Sequence, residues 1–425
     1  MSSENLSTKN NILFSWRGTE AAEDYVLATY LITTPIDGEL AAYGLAKEQS
    51  VCTTSMPGIN MPADIETFCA KVKSVDALPD PPPNIADPYF LNTTVYGAEH
   101  QTESARQYKV VIAYPVLLFG NGLTRLWNNV VGEVHRLGFL TAASLVDISL
   151  PHSLATQYPG PRYGVSGLRN RLDIPQRPLF CRSARPANGL DIEAMLTINE
   201  QVLGGGFDIV KDDELTYDSQ RSPFVERIQR MVDLKHRIED KTGEKKLYFA
   251  NVIDDWGSAL TMIDQAAQTG VDGVLVSAAA QGLSFISEVA QRTELIVLAH
   301  NSCSDVLTRA THWGVHDSVM TRLQRAAGAD LVVSPGPFGT QHQSNSVNNA
   351  FLAACRDSLG NCAPCMPILQ GGKCPAELAQ YIDDVGSTDF MIIAATWLDH
   401  HPQGISTAAR AFRDAWKQLK EQQKL

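Results

Sequence analysis

The sequence predicts an α/β protein: a C-terminal (β/α)8 barrel preceded by a smaller α+β domain. Two observations carry that prediction. From Pro178 onward, eight short apolar runs alternate with amphipathic helical stretches. The runs are apolar at nearly every position, as strands buried on both faces are. Eight such units match a closed barrel, which takes roughly 250 residues. A doubly wound open sheet is the alternative, and the number of runs favours closure.

The elements follow in chain order. Residues 1–11 are polar and read as a disordered tail without the apolar core of a secretory signal. In the domain at 12–150, Asp24–Thr33 and Tyr108–Leu118 read as strands, and Ile65–Val75 and Gly122–Leu137 as helices. The Pro-rich Asp80-Pro81-Pro82-Pro83 interrupts them as a loop. Mixing without strict βα alternation points to α+β. Residues 151–177, rich in Pro and Gly, read as a connector, with Gly164 to Arg171 leading into the barrel at 178–425. The barrel strands are read at Leu179–Ser183, Phe207–Lys211, Leu247–Val252, Gly273–Ala278, Leu295–His300, Ala329–Ser334, Met366–Gln370 and Phe390–Thr396. Helices are read at Asp191–Leu203, Pro223–Thr242, Trp256–Gln268, Gly282–Gln291 and Ala376–Ile382.

Bulk properties narrow the function. The chain has 425 residues, a net charge of −12 and a pI near 5.3. That balance argues against a broad nucleic-acid or anionic-membrane surface, while leaving room for a small anionic substrate. No apolar run approaches the ~18 residues of a membrane span, and a cytosolic protein is expected. The eight cysteines are scattered, as reduced core thiols are. Cys362 and Cys365 have zinc or redox spacing, but Cys355 and Cys374 around them fit no strong zinc pattern, so a loop with free thiols is expected.

In such a barrel, chemistry gathers at the C-terminal ends of the strands. Those ends carry, in order, Arg185; Lys211, Asp213 and Glu214; Asn251 and Asp254; Ser277; His300 and Asn301; Ser334; Gln370, Gly371 and Gly372; then Ala395 and Thr396. The most informative stretch is Lys211-Asp212-Asp213-Glu214. Strand alternation points Lys211 and Asp213 the same way, with Glu214 in the turn that follows. Oxygen donors gathered there suit a hard cation such as Mg²⁺, provided the lysine also offers oxygens, as it does after its neutral amine adds CO₂ to become a carbamate. The competing reading is a solvated acidic turn.

GGFDIVKDDE, followed by DSQRSPF, resembles the carbamate segment of the ribulose-bisphosphate carboxylase large subunit. Other landmarks agree in order: Glu48 ahead of Thr53; YPVLLFGNG and then VVGEV; RPLFCRSARPANGL; His300; Met366-Pro367 with Gly371-Gly372; and HPQG at 401–404. The resemblance implies that Lys211 is the carbamylated metal ligand, with Asp213 and Glu214 as its carboxylate partners. It implies that His300 borders the metal, that Gly371 and Gly372 offer N–H groups to a phosphate, and that Glu48 reaches in from the partner of a homodimer or a dimer of dimers.

The departures are equally informative. The carboxylase's Lys-Pro-Lys turn is Arg185-Pro186-Ala187 here, and arginine is a poor general base. Asn301 replaces an arginine, Val333 a histidine, and Thr340 the lid lysine. Ala394-Ala395-Thr396 replaces a glycine-rich phosphate turn, Thr54 a tryptophan, and Arg125 an asparagine. The chain is therefore similar to the non-carboxylating RuBisCO-like branch (form IV). That resemblance implies a Mg²⁺-stabilised enolate on a small phosphorylated keto sugar or sugar acid. Catalytic candidates are Lys211, His300, Glu48, Arg185 and Asn251. Substrate or phosphate candidates are Gln370, Gly371, Gly372, Ala395, Thr396, Ser334 and Asn301. Loss of the lysine base favours a decarboxylase or transcarboxylase. The alternatives are an enolase or isomerase of methylthio-sugar phosphates and an inactive binding homologue.

Overall fold

Two separate units emerge from the chain in a computed structural model, which describes residues 12–51, 63–79, 105–187, 190–310, 312–336, 338–339 and 345–422. The tail at 1–11, Thr53, Thr54, the Pro-rich stretch at 80–83 and Thr340 lie outside the described residues.

The first unit takes the chain up to Tyr158 together with Asp305–Met320 and Leu359–Asn361. Its sheet contains β1 (Tyr25–Thr34), β2 (Lys71–Ala77), β3 (Arg106–Pro115) and β4 (Ala142–Ser149), joined by the later β10 (Trp313–Val315) in the order β10-β4-β1-β3-β2. β1 alternates buried and half-buried positions along most of its length, as a strand with one covered face does. A helix at Gly38–Glu48 is capped by Asp37, whose carboxylate accepts from the backbone of Glu39 and Leu40.

One sequence expectation fails here. The helix expected at Ile65–Val75 is a short 3-10 turn, Ile65–Phe68, followed by β2. Val72 and Val75 are three apart, which imitates a helical period. They instead pair with Ile112 and Val110 of β3, with a register shift between them. The helix expected at Gly122–Leu137 is shorter: Leu123–Val131, then a 3-10 turn at Val134–Arg136.

The second unit is the barrel. Its strands are β5 (Leu179–Ser183), β6 (Ile209–Lys211), β7 (Leu247–Asn251), β8 (Gly273–Ser277), β9 (Ile296–His300), β11 (Leu331–Val333), β12 (Met366–Leu369) and β13 (Met391–Ile393). All neighbours are parallel, and the sheet closes where β13 pairs with β5. All eight expected strands are present, each close to its expected bounds.

The inside of the barrel is a packed core. Leu179, Cys181, Ile209, Phe249, Leu298 and Met366 belong to one buried cluster. Leu168, Leu172 and Ile174 join it from within the Pro- and Gly-rich 151–177 segment, most of them on the helix Gly164–Leu172. Arg169 of that helix is itself buried and anchors it, donating to the carbonyls of Ile174 (2.9 Å), Arg177 (3.0 Å) and Thr388 (2.7 Å). Among the described residues no helix is long and apolar enough to cross a membrane.

Candidate active site at the C-terminal rim of the barrel

The site grows from the end of β6. Lys211 is the last residue of that strand and is 1% exposed. Its Nζ donates to the Asp212 carbonyl at 3.0 Å and to Glu214 Oε2 at 3.2 Å. Asp213 leaves the chain on the same side. Its Oδ2 accepts from Ser183 Oγ at 3.0 Å and lies 3.5 Å from Arg185 Nε. Its other oxygen accepts from the Leu215 N–H and so shapes the turn.

Asp212 points the opposite way, as strand alternation requires. It is buried and accepts from Tyr248 OH at 2.9 Å, Arg227 Nε at 3.3 Å and the Asn251 N–H at 3.2 Å. These three contacts fix the backbone from which Lys211 and Asp213 project.

His300, at the end of β9, reaches the same point. Its Nε2 is 3.4 Å from Glu214 Oε2. Its Nδ1 accepts from the Ser302 N–H at 3.1 Å and lies 2.6 Å from Ser302 Oγ. A neutral imidazole carries one N–H. With Nδ1 accepting from a backbone donor, that N–H sits on Nε2 and faces Glu214. Burial, aided by Lys211, pushes the imidazole down to about 4, so it is neutral at pH 7. Burial alone would raise the Glu214 carboxyl, but Lys211 and His300 outweigh it and hold the group below its ordinary value.

A cavity of about 250 Å³ opens beside these groups, lined by Ser183, Arg185, Lys211, Glu214, Gln370 and Thr396 together with Gly371, Gly372, Ile393 and Ala395. Gly371 and Gly372 have φ of 78° and 62°, a conformation that favours glycine. Gln370 is held by its own amide, which donates to Asn301 Oδ1 at 3.1 Å.

Other expected residues stand back from the cavity. Asn251 spends its amide nitrogen on the carbonyls of Glu214 (3.2 Å) and Thr216 (2.9 Å) and its oxygen on the Ile253 N–H. It holds the loop after β6 and does not line the cavity. Ser334 is buried and directs its hydroxyl to the Gly336 carbonyl. Asn301 does not line the cavity and accepts from the Gln370 amide. Glu48 closes the helix Gly38–Glu48 in the other unit.

The donor set fits a hard cation on one condition. Among the described residues, no three His, Cys, Asp or Glu side chains gather to hold a metal. Asp213 and Glu214 supply two carboxylates, and the third oxygen has to come from Lys211. As a free amine Lys211 only pairs with Glu214; as a carbamate it would complete an all-oxygen set of the kind Mg²⁺ takes.

Comparison with known proteins fixes the lineage. Residues 17–154 match the N-terminal domain of the ribulose bisphosphate carboxylase large chain, and residues 164–425 match its catalytic domain. The chain belongs to that family. This RuBisCO-family chain is 31% identical over 384 residues to ribulose bisphosphate carboxylase-like protein 2 of Rhodopseudomonas palustris, covering 89% of this chain and 86% of that one. It is 27% identical over 394 residues to the 2,3-diketo-5-methylthiopentyl-1-phosphate enolase of Geobacillus kaustophilus, covering 92% and 91%. The fold is similar to that of the octameric RuBisCO of Pyrococcus horikoshii (TM-score 0.85, 24% identity, 97% and 92% covered). It is similar also to the dimeric archaeal RuBisCO of Hyperthermus butylicus (TM-score 0.84, 23% identity, 97% and 94% covered).

Sequence reading of this RuBisCO-family chain missed Ser183 and Ser302. Ser183 ends β5 and was open to the same strand-end rule that found Lys211. Ser302 lies past its strand, where no spacing signals that its N–H meets an imidazole.

Proposed function

We propose that this protein is a Mg²⁺-dependent, enolate-forming enzyme that decarboxylates, or transfers the carboxylate of, a small phosphorylated β-keto sugar acid, and that it does not fix CO₂. Bound magnesium, held by Asp213, Glu214 and the Lys211 carbamate, would supply Lewis acidity toward a ketone oxygen.

The protein's own residues supply the rest. The Arg185 guanidinium, half-exposed at the cavity wall, suits a bidentate grip on a substrate carboxylate or phosphate. Backbone N–H groups at Gly371 and Gly372 suit a phosphate. His300 presents Nε2–H and is therefore a donor at the site, not a proton acceptor.

The observation that carries the reading is the shortage of lysine and histidine bases; the carboxylate on the wall, Glu214, is taken up by the cation in this proposal. Apart from Lys211, no lysine or histidine lines the cavity among the described residues. Decarboxylation needs no base: the C–C bond to the carboxylate breaks, CO₂ leaves, and the electron pair passes to the ketone as an enolate that later takes up a proton. A homodimer or dimer of dimers, with Glu48 of one subunit completing the site of the other, belongs to the same proposal. Dimeric and octameric assemblies of similar fold support it.

A second reading, enolisation or isomerisation of a methylthio-sugar phosphate, draws on the named enolase relative, which matches along 91% of its length. ¹H and ¹³C NMR in D₂O, with Mg²⁺, bicarbonate and a panel of phosphorylated ketoses and β-keto sugar acids, separates the two. CO₂ loss with deuterium entering the adjacent carbon supports decarboxylation. Exchange or isomerisation without CO₂ loss supports the second reading, and silence across the panel supports an inactive binding homologue.

A further inference from the structure

The opposite end of the barrel carries a larger cavity, about 510 Å³. Its wall comes from residues just ahead of three strands: Arg177 before β5, Asp208 before β6 and Lys245 before β7. The last helix, Ile405–Glu421, adds Arg413, Trp416 and Lys420, which share one face by their three- and four-residue spacing.

The charge there is reversed from that of the chain. Five cations, Arg171, Arg177, Lys245, Arg413 and Lys420, meet three carboxylates, Asp173, Asp208 and Glu244, in a protein of net charge −12. Two of the carboxylates are already committed. Arg177 clasps Asp208 through both oxygens, at 2.6 and 2.5 Å. Glu244 sits between Arg413 at 2.9 Å and Lys246 at 2.8 Å.

That leaves three cations against one carboxylate, Asp173: Lys245 and Lys420, both exposed and without an ion-pair partner among the described residues, and Arg171, which lies 5.0 Å over the Tyr163 ring. Like charges sharing a concavity repel one another. The bottom face of such a barrel ordinarily serves stability, and uncommitted cations around a cavity do not. A bound anion would turn the repulsion into attraction. The half-buried indole of Trp416 adds a flat apolar surface on which a ring can stack.

We infer that this cavity is a second binding site, separate from the rim, for an organic phosphate carrying an aromatic ring, the class of the nucleoside phosphates. The phosphate would engage Lys245, Lys420 and Arg171, and the ring would lie against Trp416.

The test is calorimetric titration of the full-length, metal-free protein with ADP, and separately with adenosine and inorganic phosphate. ADP is expected to bind saturably and more tightly than either fragment. The Lys245→Ala/Lys420→Ala double variant, which keeps its fold because both side chains are exposed, should bind ADP at least about tenfold more weakly. Trp416→Leu should weaken it several-fold, and Arg185→Ala at the rim should leave it unchanged. Absence of saturable binding, an affinity unaffected by the double substitution, or phosphate binding as tightly as ADP would each overturn the inference.

Discussion

Lys211 and Asp212 are adjacent in sequence yet serve opposite sides of one strand. Lys211 Nζ meets Glu214 at 3.2 Å at the cavity, while Asp212 turns away into a contact with Arg227 at 3.3 Å that is sealed from solvent. One residue is available for chemistry, and the next holds it in place.

Substituting Asp212 should therefore damage the fold, not a ligand set. Arg227 is 0% exposed, and Asp212→Ala leaves its charge without a counter-ion. The expected loss is about 3–5 kcal/mol. Asp213→Asn should keep the thermal midpoint near that of the parent and lose Mg²⁺ binding. Thermal scans with and without Mg²⁺ check both.

Lys211→Arg keeps the positive charge but cannot form the carbamate. Turnover should fall by roughly a thousandfold or more, on the scale of losing a main electrostatic stabiliser. In the parent protein, ¹³C-labelled bicarbonate should give a carbamate signal that is missing from the variant. A variant that turns over at the parent rate would remove Lys211 from the metal site.

Arg185→Ala should raise KM by about 10–100-fold with a smaller change in kcat, the pattern of lost substrate binding. Steady-state kinetics on the substrate found by NMR checks it. A fall confined to kcat would mean that Arg185 acts through Asp213, 3.5 Å away, instead of gripping substrate.

A pH effect is expected from a group in the first unit. Burial, with Asp305 adding to it, raises the Asp317 carboxyl to about 6. The unfolded chain ionises near pH 4, so this group's contribution is complete below that point and is lost as pH rises through 6. Asp317→Asn should match the parent's thermal midpoint at pH 4 and exceed it at pH 7.5. The gain is about 1 kcal/mol, allowing for the group's partial exposure.

The barrel was legible because its strands are buried on both faces, so local composition alone marks them. The rim residues Lys211, Asp213, Glu214, His300 and Gly371 were legible because strand ends in a barrel converge by topology. Local patterns failed where long-range pairing decides. Val72 and Val75 took a helical spacing into a bulged strand, and nothing in Trp313-Gly314-Val315 signals a partner at 143–145. Asn251 sits at a strand end like the others, yet its amide is consumed by loop carbonyls. Position predicts the rim, while hydrogen-bond competition decides which side chains remain free there.

The pairing of Trp313–Val315 with Ala143–Leu145 also sets an order of assembly during synthesis. A ribosome delivers β4 long before β10, and most of the barrel strands emerge in between. Until then the outer edge of β4 is an unpaired strand edge, open to association with other chains. A gene fragment ending near Tyr158 would carry that edge permanently. Such a fragment should aggregate unless residues 305–320 are supplied, even as a separate peptide.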